Sequence, residues 1–146
     1  MSEFELNMDL SSGIAAFESK NFTRAAHFLM PLAEAGDVEA QYRMGILYQN
    51  GLGMIANEAK AVEMMRAAAE SGLALAQHGL GFMYMQGEGV EKDGAEAMTW
   101  FLRAAEQGLV GSLTTMAMMY QEGTLVEQDL EKAKKLYKQA GFDELM

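Results

Sequence analysis

Residues 73–108 read LALAQHGLGFMYMQGEGVEKDGAEAMTWFLRAAEQG. Ala76, Leu80, Gly81 and Tyr84 recur at the three-to-four-residue spacing of one helix face, and Ala97, Trp100, Phe101, Ala104 and Ala105 mark a second such face. Between them Gly87 and Gly89 break the pattern, because glycine takes positive φ without steric cost. Asp93 stands just before the second face with Glu96 three residues on, the spacing of an N-cap and its capping-box partner. Gly108 stops the second helix. The stretch is a hairpin of helix A, glycine loop and helix B.

The hairpin repeats on either side at a period of 36 residues, carried by Gly36, Gly72 and Gly108, by Gly51, Gly87 and Gly123, and by Tyr48, Tyr84 and Tyr120. Residues 37–72 supply Ala40, Met44, Ala61, Met64 and Met65 in matching places, and residues 109–141 supply Ser112, Met116, Asp129, Ala133 and Leu136. Small side chains at Gly45, Gly81 and Ala117 let two helices approach closely, while the tyrosines fill the adjoining gap; a large residue there overpacks the contact. Residues 6–36 form a shorter copy. Gly13 to Ala25 spans twelve residues where Gly45 to Ala61 spans sixteen, so the first loop is four residues shorter. Pro31 falls inside its helix B and is expected to kink or frame the last turns. A fixed period of this size predicts an all-α fold, an α-α superhelix (solenoid) of about four antiparallel helix pairs. The expected organisation is a single repeat domain over residues 1–146: a cap pair at 6–36, repeats at 37–72, 73–108 and 109–141, and a tail at 142–146.

Composition narrows the function. Eleven Lys and Arg against 21 Asp and Glu give a net charge of −10. That field disfavours nucleic acid, which needs clustered cations to release counterions, and favours a neutral or basic partner. Half the residues are hydrophobic and there is no cysteine, so a core is available while disulfides and thiolate chemistry are not. No apolar run approaches the roughly 18 residues of a membrane span, and the start Met1-Ser2-Glu3-Phe4-Glu5 is acidic where a secretory signal is basic. Membrane insertion is not expected, and the chain reads as cytoplasmic.

The pattern closely resembles the Sel1-like repeat, a relative of the tetratricopeptide repeat, over residues 37 to 141. The resemblance is carried by Ala76-Gln77, Leu80-Gly81, Tyr84, Gly87-x-Gly89-Val90, Asp93, Ala97, Trp100-Phe101 and Ala104-Ala105-x-x-Gly108. Residues 6–36 look more like a bare tetratricopeptide unit. Departures are Met54 and Asn57 in the first full loop, Leu125 for the second loop glycine of the last repeat, and Met64 and Leu136 for the tryptophan. The resemblance implies an adaptor or scaffold that holds other proteins. In the related fold, helix A lines the concave face and its variable positions bind.

Carried over onto this sequence, those positions are Tyr42, Ile46, Gln49 and Asn50, then His78, Phe82, Met85 and Gln86, then Thr114, Met118 and Gln121, with Glu122 flanking. They form an apolar strip edged by amides, suited to a peptide or helix of a partner protein. The same side chains would also serve as packing between successive helices A, and the sequence leaves both readings open. The histidines His27 and His78 lie in different units with no matching ligand, and no phosphate loop, catalytic triad or zinc spacing is present. Glu88, Glu91 and Asp93 share a loop without calcium-loop spacing. No enzyme activity, cofactor or metal is therefore expected. The expected function is a non-catalytic protein-interaction module. The alternative is a self-assembling scaffold, a possible homo-oligomer joined through its terminal repeats, suggested by an apolar tail at Phe142, Leu145 and Met146 and by the lack of an obvious polar capping helix.

Overall fold

The computed structural model describes residues 2–142, and all regular structure among them is helical. The helices are α1 (Glu3–Glu18), α2 (Phe22–Glu34), α3 (Val38–Asn50), α4 (Glu58–Glu70), α5 (Ala74–Gln86), α6 (Gly94–Glu106), α7 (Val110–Glu122) and α8 (Leu130–Gln139). The chain divides into two compact units, one ending at Gly72 and one starting at Leu73. In the first, α1 packs on α2, α2 on α3 and α3 on α4, and α1 also touches α3; in the second, α5, α6, α7 and α8 pack in sequence. Helix A of a hairpin thus lies against helix A of its neighbour within the first unit.

The three longer A-to-B loops are closed by the same two devices. Gly51, Gly87 and Gly123 end α3, α5 and α7 with φ of 64°, 73° and 70°, a left-handed conformation that glycine adopts freely. Asn57, Asp93 and Asp129 then cap α4, α6 and α8, each accepting from the backbone N–H three residues on at 3.1 Å. Their own N–H groups donate to the carbonyls of Tyr48, Tyr84 and Tyr120 at 2.9–3.1 Å. This bond explains a difference from the sequence reading. Asp93 is an N-cap, but its N–H is taken by Tyr84, so Glu96 contributes its backbone N–H rather than a reciprocal side-chain bond. The first loop is residues 19–21 where the second is 51–57, four residues fewer, as the spacing required.

Close approach occurs where the small residues predict it. A Cβ on Gly81 would lie 2.9 Å from the Phe101 ring and 3.2 Å from the Ala97 carbonyl oxygen. One on Gly45 would lie 3.1 Å from Met65. Ala117 is fully buried in a cluster with Ala133 and Tyr137, against which Tyr120 and Leu136 pack. Loops seat on the preceding helix B by a second small-residue rule. A Cβ on Gly53 would come within 2.6 Å of the Phe22–Thr23 backbone. At the matching contact Leu125 replaces the loop glycine and adopts φ 62°, and the residue beneath it, Gly94, lacks the Cβ that would collide with the Leu125 carbonyl. In both junctions one of the touching residues has no Cβ.

Pro31 lies inside α2, which runs on to Glu34. Phe142 donates its N–H to the Tyr137 carbonyl at 2.8 Å, completing a Schellman turn with Gly141 at φ 92°. Leu145 and Met146 lie outside the described residues. Helix α8 carries Lys132, Lys134, Lys135 and Lys138, all exposed.

Candidate helix-A groove

Charge is almost absent from the A helices of the second unit. Helix α5 contains no Asp, Glu, Lys or Arg, and α7 contains only Glu122, in a chain with 32 such residues. A groove of about 520 Å³ runs between these two helices. His78, Phe82, Met85 and Gln86 of α5 line one side, at i, i+4, i+7 and i+8. Thr115, Met118, Met119 and Glu122 of α7 line the other, at i, i+3, i+4 and i+7. Lys92, Thr124 and Leu125 from the loops complete the rim. Phe82 is 37% exposed and Met118 46%, large values for apolar side chains facing a shared depression.

His78 is anchored. Its Nδ1 lies 2.8 Å from the hydroxyl of Ser112, itself fully buried on α7, and its ring tilts against Phe101 at 5.1 Å. Burial lowers its pKa below the ordinary imidazole value and so favours the neutral ring. Lys92 and Glu122 are the charged side chains lining the groove with it.

The first unit places Tyr42, Ile46, Gln49 and Asn50 on α3. Tyr42 and Ile46 are half-buried, and the Asn50 amide donates back to the Ile46 carbonyl at 3.0 Å. The Tyr42 hydroxyl has a raised pKa, chiefly from burial, with Arg43 opposing and Glu39 adding to the shift. Next to Tyr42, Arg43 pairs with Glu39 and lies 5.5 Å from the centre of the Phe17 ring. A cation occupies this helix-A surface, unlike that of α5.

Of the second-unit positions expected from the sequence, His78, Phe82, Met85, Gln86 and Met118 share the groove. Thr114 and Gln121 do not line it. The Thr114 hydroxyl donates to the Val110 carbonyl at 3.2 Å, and the Gln121 side-chain oxygen accepts from the Tyr137 hydroxyl at 2.7 Å. On α7 the wall is made by Thr115, Met118, Met119 and Glu122, of which Met118 and the flanking Glu122 hold the register of Phe82 and Gln86. The loop residues Lys92, Thr124 and Leu125 carry no periodic signal that places them here. His27 is exposed on α2. Among the described residues no group of three or more His, Asp or Glu side chains is arranged to hold a metal ion.

Comparison with known proteins bears on the same hairpins. The Sel1 repeat family model matches residues 38–73, 74–109 and 113–141. The chain is similar to the solved structure of c5321, a protective antigen present in uropathogenic Escherichia coli strains and displaying an SLR fold. It is 28% identical to that chain with a TM-score of 0.86, over 93% of this chain and 30% of that one. It is also similar to a Sel1 repeat protein from Oxalobacter formigenes, at 32% identity and a TM-score of 0.81, over 91% of this chain and 53% of that one. The chain thus spans about a third and about half of the lengths of these two relatives. No curated protein matches.

Proposed function

We propose, from the premise that this chain belongs to the Sel1 repeat family, that it is a protein-interaction module whose α5/α7 groove holds an apolar segment of a partner protein. Sel1 repeats are generally protein-interaction modules and non-catalytic scaffolds. The observation that carries the finer reading is the pairing of exposed Phe82 and Met118 across a groove whose two helices bear a single charge. Depletion of charge with enrichment of aromatic and methionine side chains is the composition of an interface centre. Thioether side chains adapt to the shape of an apolar ligand, and Gln86 at the rim offers both donor and acceptor. The net charge of −10 favours a segment that is neutral or basic overall.

Peptide display on the purified protein tests this. Peptides enriched on the wild type should share apolar anchors and should lose about 2 kcal/mol of affinity, close to 30-fold, on Phe82→Ser with Met118→Ser. Undiminished binding by the double variant, with its melting curve unchanged, contradicts the assignment.

A further inference from the structure

The first unit fills a place that the second leaves open. Aligned on Gly13, Gly45, Gly81 and Ala117, Arg43 of α3 stands in register with Thr115 of α7, and Phe17 and Glu18 of α1 with Met85 and Gln86 of α5. Arg43 thus holds on the α1/α3 pair the position that Thr115 holds on the wall of the α5/α7 groove. Its guanidinium reaches across from α3 to α1, the central carbon 5.5 Å from the centre of the Phe17 ring and a nitrogen 4.0 Å from a Glu18 carboxylate oxygen. Glu39, one turn earlier on α3, pairs with it as well. The Arg43 side chain is only 16% exposed, so a cation is seated between two A helices, against an aromatic ring and beside carboxylates.

The second unit keeps the seat and lacks the cation. Thr115 is too short to cross, and its hydroxyl turns back to donate to the Gly111 carbonyl at 2.9 Å. What Arg43 fills in one unit is part of a groove of about 520 Å³ in the other. Phe82 gives that groove an aromatic face, and Met85 puts a polarisable thioether in the place of Phe17. Glu122 repeats the register of Glu18 from the opposite wall, is exposed, and accepts from the Thr124 hydroxyl at 3.3 Å. Among the described residues no Lys or Arg pairs with it. Lys92 also lines the rim, one residue before the cap Asp93. Lys20 holds the same place before the cap Asn21, and the first unit seats its guanidinium nonetheless.

We infer that the α5/α7 groove takes an arginine side chain of the partner segment, its guanidinium against Phe82 and Met85 and its charge on the Glu122 carboxylate. The inference rests on the groove reading above and narrows the occupant from neutral or basic to arginine-bearing. Arginine is favoured over lysine because its planar, weakly hydrated head stacks on a flat apolar face while still donating to a carboxylate. The net charge of −10 draws such a segment in.

A random-peptide display library selected on the full chain tests it. Peptides that need the groove, identified by their loss on Phe82→Ser with Met118→Ser, should share an arginine. In synthetic copies, exchanging that arginine for citrulline, its uncharged isostere, should weaken binding about 10-fold or more, and lysine should recover only part of the loss. Glu122→Gln should weaken the arginine peptide by a similar factor and leave the citrulline peptide unchanged. Thr115→Arg, which supplies from α7 the cation that α3 supplies in the first unit, should block the arginine peptide. Circular dichroism melting checks that each variant is folded. Groove-dependent peptides without a shared arginine, or with equal affinity in arginine and citrulline forms, overturn the inference and leave the apolar groove standing. So does a Glu122→Gln variant that weakens both forms alike, or a folded Thr115→Arg variant that binds at full strength. A selection that yields no groove-dependent peptide contradicts the groove itself, and the inference with it.

Discussion

Gly81 decides how closely α5 meets α6. Its missing Cβ leaves the Phe101 ring and the Ala97 carbonyl in place, and α7 accepts Ala117 at the same register because Tyr137 stands there instead. Gly81→Ala should therefore cost about 1–3 kcal/mol in urea unfolding, by overpacking rather than by helix propensity, which favours alanine. His78 supplies a second prediction. Its folded-state pKa lies below the unfolded value of 6.5, so the unfolded chain binds more protons between the two. Its contribution is present above about pH 6.5 and is lost as pH falls through the folded value. The urea midpoint should drop between pH 7.5 and pH 5.5 by more in the wild type than in His78→Gln; equal drops would remove the histidine from the account. The glycine was legible from its 36-residue register. The His78–Ser112 bond was not, because a contact between residues 34 apart depends on side-chain direction rather than periodicity.

At the scale of the element, the hairpin is held by its loop as much as by its helices. The N-cap side chain fixes the start of helix B, and the N-cap backbone ties it to the tyrosine carbonyl of helix A. Asp93→Ala removes only the first of these bonds and should lower stability by about 1 kcal/mol, with no change in helix content by circular dichroism. A loss of α6 protection in hydrogen exchange well beyond its first turn would show that the side-chain bond holds more than the cap. Loop lengths and helix order were readable in advance, since glycine spacing and apolar periodicity encode them locally. On α7 the expected Met118 and flanking Glu122 line the groove, whereas Thr114 and Gln121 bond to the Val110 carbonyl and the Tyr137 hydroxyl, contacts that periodicity does not encode. Leu125 at φ 62° was equally hidden: its tolerance depends on Gly94, 31 positions earlier.

Across the whole molecule, charge is segregated by role. Helices α5 and α7 are almost free of it, α8 is basic and α1 acidic, within a chain of net charge −10. Among the described residues no helix is long and apolar enough to cross a membrane. A neutral segment held by Phe82, Met85 and Met118 should bind almost independently of salt, whereas a basic one, drawn by the net charge of −10, should bind more weakly as salt rises. Methyl-labelled methionine gives the most direct reading of the central claim. Fourteen methionines are spread along the chain, and Met85 and Met118 line the groove while Met44 and Met65 are buried in the first unit. On titration with a peptide selected on the wild type, the NMR signals of Met85 and Met118 should move together and saturate, while those of Met44 and Met65 hold still. Saturating shifts that leave Met85 and Met118 untouched would contradict the account.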